Sequence, residues 1–236
     1  MILFMRIRPL LAAVAIIVGL SASLSTSLAA QKGKDNEEAK RLAEATTVFQ
    51  EVMSAEDNAI PKTILEKVEA IAIFPNTIKA GLGIGGLRGR GVISARGANG
   101  WSSPAFLTMT GGSIGLQIGA QAADIVLVIL NKRGVDSLIG NQFKLGADAS
   151  VAAGPVGRDT QASTDLQLRA QILSYSRARG LFAGITVNGS TIRQDKDANQ
   201  RFYGKALTSR DIILSGQGGS PEPVAAWRQI LARYGR

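Results

Sequence analysis

Five glycines on odd-numbered positions, Gly81, Gly83, Gly85, Gly89 and Gly91, constrain this chain more than any other feature. The even positions between and around them carry bulk: Ile78, Ala80, Leu82, Ile84 and Val92. A period of two is the signature of an extended strand, and it puts every one of these glycines on one face. A face without side chains has one structural use, which is to let another layer of backbone approach closely. Residues 78–96 are therefore expected to form a strand against which other chain packs tightly.

The remaining elements follow from periodicity and punctuation. Asp35 followed by Glu38 has the spacing of a capping box. Leu42, Thr46, Phe49 and Met53 recur at helical spacing behind it, as a narrow apolar stripe. Pro61 suits the start of a second helix with Ile64, Leu65 and Val68 on one face. Asn99-Gly100 marks a turn, Trp101 to Thr110 a second strand, and Ser113 to Leu130 a further one that is continuously apolar from Ile125. Gly134 to Ile139 has room for a turn or two of helix. Leu166, Leu168, Ala170 and Ile172 alternate with Gln167, Arg169 and Gln171 as a half-buried strand. Leu181 to Val187, Asn188-Gly189 and Ser190 to Arg193 read as a hairpin. Val224, Trp227, Ile230, Leu231 and Tyr234 outline a closing helix after Pro221 and Pro223. The sum is an α+β fold: N-terminal helices packed on a twisted, mostly antiparallel, glycine-rich β-sheet system, a sandwich or partly closed barrel, with a short C-terminal helix.

Residues 1–29 read as a cleavable signal peptide. Arg6 and Arg8 form a basic start, Leu10 to Leu20 an apolar run too short for a comfortable bilayer span, and Ser27-Leu28-Ala29 a small-x-small cleavage pattern before Ala30. Residues 30–59 hold a linker and an acidic helix, and 60–236 the folded domain. Such a chain is expected outside the cytoplasm, periplasmic or secreted. It has no cysteine, so packing rather than disulfides must hold it together. Residues 30–70 carry six Lys/Arg against nine Asp/Glu, while 71–236 carry nineteen against nine. That asymmetry assigns any anionic partner to the C-terminal body. With aromatics at only 5% of the chain, the girdles of an outer-membrane barrel are missing.

Three enzyme-like motifs fail on context. Gly81 to Gly86 has the G-x-G-x-x-G spacing, but no helix former follows and the next acid is Asp124. Gly111-Gly112-Ser113-Ile114-Gly115 matches a nucleophile elbow, but the chain has no histidine to serve as base. Asp195-Lys196-Asp197-Ala198-Asn199 opens like a calcium loop, yet Gln200 and Ala206 stand where glycine and glutamate belong. No catalytic residue, metal site or cofactor is expected, nor a nucleic-acid partner.

The ordered segments Trp101-Ser102-Ser103-Pro104-Ala105, Gly111 to Ala120 with Asp124, Gly154-Pro155-Val156-Gly157-Arg158, Tyr175 to Gly184 and Phe202-Tyr203-Gly204 closely resemble the SYLF domain, also described as the Las17-binding-protein actin-regulator domain. The likeness covers about residues 60–215. It implies a non-enzymatic phospholipid-binding module; eukaryotic members bind phosphoinositides, and some bind and bundle actin filaments. The candidate phosphate contacts are Lys79, Arg88, Arg90, Arg96, Lys132, Arg133, Arg158, Arg177 and Arg179, which sit among small residues where a headgroup can approach. Ser176 to Gly180 is a basic turn between apolar strands, while Arg158 with Asp124 also reads as a structural pair. One departure stands out. The basic amphipathic helix that opens lipid-binding eukaryotic members is replaced by an acidic one at 35–57, which an anionic surface repels. The expected partner is an anionic phospholipid surface met by the basic body. The alternative is a structural or protein-interaction module of the cell envelope, actin-regulator-like if delivered to a host.

Overall fold

The computed structural model describes residues 37–55, 60–157, 169–178 and 181–235, with backbone alone at 81–84 and 113–120. The proposed signal peptide, its cleavage point, Asp35, Arg158, Leu166 to Leu168 and Arg179 lie outside them.

The first helix, α1, spans residues 37–54. Its buried face is Leu42, Ala45, Val48, Phe49 and Val52, broader than the stripe expected from large apolar residues alone. Thr46 instead turns its hydroxyl onto the Leu42 carbonyl at 2.8 Å. Pro61 caps a single turn, α2 (Lys62–Leu65), as its fixed φ allows.

Two long strands dominate the sheet. β1 (Ala70–Gly97) and β3 (Ala105–Ile129) pair antiparallel from Ala70 opposite Ile129 to Ile93 opposite Ala105, with the two-residue β2 (Gly100–Trp101) at their connection. Gly100 takes a φ of 94° there, the left-handed backbone that the Asn99-Gly100 pattern requires. The sequence pattern suggests a first strand starting near 78 and two separate strands between 101 and 130. The structure merges each set, because Gly111 and Gly112 continue the ladder instead of breaking it. A straight 28-residue strand would reach about 90 Å, roughly twice the width of a domain this size, so the ribbon has to bend back.

It does so at the glycines. A Cβ on Gly91 would strike the Ile73 carbonyl and lie 2.6 Å from the Phe74 ring, and one on Gly89 would strike the Thr77 hydroxyl. The two ends of β1 thus run side by side, and the Arg96 N–H donates to the Glu69 carbonyl at 2.7 Å. This is the close backbone approach anticipated from the glycine row. Pro75 and Asn76 form a bulge opposite Asp124, where proline cannot donate to the ladder and Asn76 adopts a φ of 47°.

The remaining strands extend this ribbon into one curled, mixed, eight-stranded half-barrel. β6 (Ile172–Ala178) pairs with the C-terminal half of β3; β5 (Val151–Ala153) lies parallel to β6, and β7 (Leu181–Gly184) antiparallel to it. β8 (Thr191–Gln194) pairs with the N-terminal half of β3 and with β4 (Gln142–Lys144). The expected hairpin of 181–193 is therefore absent as a pairing. Asn188-Gly189 does turn the chain, with Gly189 at φ 82°, but its amide is taken by the Leu145 carbonyl at 2.8 Å, and the two flanking strands diverge to opposite sides of the sheet. Likewise Ala170 and Gln171 precede β6 rather than belonging to a strand.

Both faces of the sheet are covered. α1, α2 and α6 (Glu222–Tyr234) pack with α4 (Lys196–Tyr203) on the face carrying Ile71, Ile73, Val92, Phe106, Val126 and Val128. α3 (Lys132–Leu138), the segment around Phe143 and α5 (Ser209–Ile213) fill the other, against Phe74, Ile93, Leu107, Ile125 and Leu127. Burial on two sides explains the unbroken apolar run at 125–129. Trp227, fully buried, donates its indole N–H to Ser94 Oγ at 2.8 Å, so neither polar atom is wasted.

Gly91→Ala should lower stability by about 2–3 kcal/mol, since its neighbour is backbone and cannot swing aside. Gly112→Ala, with nothing within 4 Å, should stay within about 0.5 kcal/mol of the parent. Urea midpoints measure both, and equal midpoints would contradict the bent-ribbon account.

Candidate functional site

The nine basic candidates separate sharply. Arg96 is structural: it donates to the Leu65 and Glu66 carbonyls at 3.0 and 3.4 Å, satisfying the end of α2, and its guanidinium lies 5.5 Å from the Trp101 ring. Arg177 is structural too. Its Nε and Nη2 reach Asp124 Oδ2 at 3.0 and 2.9 Å, and Nη1 contacts Glu51 on α1. Asp124 uses its other oxygen to accept the Asn76 N–H at 2.9 Å. One carboxylate thus pins the β1 bulge, and one arginine joins it to β6 and α1. The described partner of Asp124 is Arg177; Arg158, the partner expected from the sequence, lies outside the described residues.

Arg90 meets Glu37 at 3.8 Å with both side chains about half exposed, a contact worth under about 1 kcal/mol that leaves the guanidinium accessible. Among the described residues, no ion pair engages Lys79, Arg88, Lys132 or Arg133, and all four are exposed. They do not form one patch. Lys79 and Arg88 lie on the ribbon where it leaves the sheet, whereas Lys132 and Arg133 open α3 just beyond the far end of β3.

The ribbon end has a second property. Thr77 pairs with Ala123, Asp124 with Arg177, and Ala178 with Leu181, so one row across the sheet brings β1, β3, β6 and β7 to a common end. Ile78 and Leu181 emerge there with 55% and 76% of their surface in solvent, two of the three exposed large hydrophobics among the described residues. Exposed aliphatics beside unpaired cations on a strand end form an amphipathic edge.

Sequence reasoning missed a buried charge cluster. Glu38 is fully buried on α1 and accepts from Arg201 Nη2 at 2.7 Å and Nε at 3.2 Å. Arg41, also buried, reaches Asp195 at 3.3 Å and lies 5.4 Å over the Phe106 ring. Burial pulls the Arg41 guanidinium below its ordinary value, while the hydrogen bond to Glu38 holds Arg201 above its own. The signal was available in retrospect: Glu38 and Arg41 fall at the spacing that puts them on the buried face with Leu42 and Ala45. The same geometry disposes of the calcium-like segment. Asp195 caps α4 by accepting the Ala198 N–H at 3.1 Å, and Asn199 accepts the Phe106 N–H at 2.8 Å. Both are spent on structure.

The other motifs are strand. Backbone from Gly81 to Gly86 runs as strand in the ribbon, with a register break at Gly83, and Ser113 lies opposite Gly85, so neither a phosphate-binding turn nor an elbow is formed. Burial pushes the Tyr175 and Tyr203 hydroxyls above the ordinary phenol range, which suits packing rather than proton transfer.

A family model described as Las17-binding protein actin regulator matches residues 110–234, just over half of the chain. The chain belongs to this family. Relatives of the Las17-binding protein actin regulator family include SH3 domain-containing YSC84-like protein 1 of Homo sapiens, 33% identical over 193 residues, which span 80% of this chain and 55% of that protein. Protein YSC84 and LAS seventeen-binding protein 3 of Saccharomyces cerevisiae are each 35% identical over 179 residues, or 74% of this chain and 38% and 39% of theirs. The chain thus spans about half or less of the length of these relatives. Described residues of four of the five segments that carried the resemblance are joints of the fold. Gly154 sits directly on the Tyr175 ring, which stacks on Phe182 at 5.1 Å, and Gly184 packs on the Gly154 carbonyl. Pro104 accepts the Tyr203 hydroxyl at 2.5 Å, and Ser103 donates to Gly219.

Arg177→Ala should cost about 2–3 kcal/mol, because it strands the buried Asp124 carboxylate. Arg88→Ala should change stability by less than about 0.5 kcal/mol. Urea unfolding separates them; a neutral Arg177→Ala would show that Asp124 does not need its partner.

Proposed function

We propose that this protein is a non-catalytic module that docks on anionic phospholipid surfaces through the ribbon end of its sheet, after export by its N-terminal signal. The observation that carries the reading is the coincidence there of Ile78 and Leu181, both exposed, with Lys79, Arg88 and the loosely held Arg90. Long-range attraction to an anionic leaflet contributes about 1 kcal/mol per cation near the surface. Seating the two aliphatic side chains in the interface adds about 1–2 kcal/mol each. The total, on the order of 5 kcal/mol, supports reversible, salt-sensitive attachment rather than permanent anchoring. Arg177 contributes indirectly, by joining the bulge beside that end to β6 and α1.

A second reading, docking of a protein partner, is favoured by the names of the yeast relatives, one of which is a LAS seventeen-binding protein. The exposed aliphatic pair would serve that role equally well as a small contact site.

Vesicles containing anionic lipid should sediment the purified protein at low salt and release it at high salt, while neutral vesicles should not retain it. The pair Lys79→Ala and Arg88→Ala should weaken retention about tenfold or more, and Ile78→Ser with Leu181→Ser should weaken it with little change in salt slope. Equal retention on neutral vesicles, or none on any, overturns the lipid reading. Saturable capture of a protein partner without lipid would support the second.

A further inference from the structure

A second set of cations that no ion pair engages among the described residues lies at the opposite end of the same sheet. β3 carries the chain from Ala123, in the ribbon-end row, to Ile129 six residues on, a rise of roughly 20 Å. Ile129 accepts from the Glu69 N–H at 2.8 Å and the Leu130 N–H donates to Gln171 at 2.9 Å, so the chain around Lys67, Lys132, Arg133 and Arg169 converges there. All four basic side chains are exposed. Among the described residues the acids nearby are Glu66, Glu69 and Asp136, of which Asp136 already meets Arg210 at 3.5 Å. Counted over the described residues this end is therefore net basic, and Lys132 and Arg133 open α3 without serving its capping, which Asn131 provides by accepting the Gly134 N–H at 2.8 Å. Cations in a first helical turn work against the helix dipole, so no local stability explains their presence.

We propose that this end is a second site for an anionic phospholipid surface, and that one molecule tethers two such surfaces, one at each end of the sheet. The inference rests on the lipid reading of the ribbon end. It goes beyond that reading in naming a further activity, the bridging of membranes by a monomer. The two ends differ in kind: the ribbon end combines aliphatic anchors with cations, whereas the α3 end offers charge alone among the described residues. The second attachment is consequently the weaker and the first to fail as salt rises.

The test uses the full mature chain and vesicles of mixed anionic and neutral phospholipid. Binding is read by sedimentation, and bridging by dynamic light scattering. The parent protein should bind and should enlarge the scattering particles. Lys132→Glu with Arg133→Glu should still sediment with vesicles, within about twofold of the parent, but leave particle size at that of vesicles alone. Acids in that turn agree with the helix dipole, so folding is not endangered, and circular dichroism verifies it. Bridging that survives the double reversal overturns the proposal and points to dimers of the protein as the link. Binding without bridging by the parent also overturns it. No binding by the parent to any vesicle removes the ribbon-end reading itself, and the three outcomes are distinct.

Discussion

The contact on which this architecture depends is the passage of β1 alongside its own beginning, with Gly91 against the Ile73 carbonyl and Gly89 against Thr77. Any side chain there would force the two halves of the ribbon apart. Because they stay together, β3 is also brought back along itself and offers both halves to other strands, β6 on one and β8 on the other. The curl of the half-barrel, the two-sided burial of Ile125 to Ile129 and the projection of the ribbon all descend from that one approach. The glycines cost backbone entropy in the unfolded chain, and the dense packing of both cores offsets it.

Charge in this molecule is used in two different ways. Glu38, Arg41, Asp195 and Arg201 are withdrawn from solvent and fix α1 across the start of α4, and Asp124 with Arg177 fixes the bulge that starts the bend. Such pairs add specificity of arrangement more than net stability, since desolvation consumes much of their attraction. Lys79, Arg88, Lys132 and Arg133 remain on the surface, where attraction reaches a partner across about a Debye length. Of the acids on α1, Glu38 belongs to the first group, whereas Glu51 and Glu37 are about half exposed and reach Arg177 and Arg90 at the surface. Acidic as it is, α1 is thus a packed element of the domain.

Much of the fold was legible because it depends on local pattern. The glycine row, the turn at Asn99-Gly100, α2 after Pro61 and the C-terminal helix with Trp227 inward each follow from spacing and backbone chemistry. The strand lengths and partners were not legible. Nothing in Leu181 to Arg193 reveals that Gly189 will be claimed by Leu145, because that bond joins residues forty-four positions apart. At the site, composition identified the basic residues but not which would be free, since Arg96 and Arg177 are consumed by partners remote in sequence. Exposure of Ile78 and Leu181 was invisible for the same reason: in a strand pattern both look like core.

The central claim, that the ribbon end meets the membrane, is tested most directly by site-specific labelling, which a chain without cysteine permits at single introduced positions. An environment-sensitive fluorophore would be attached in turn to Ile78→Cys, Leu181→Cys and Gln229→Cys, the last on the exposed side of α6. On adding anionic vesicles, the account predicts a blue shift at 78 and 181 and none at 229. A shift of equal size at all three, or one confined to 229, would contradict it.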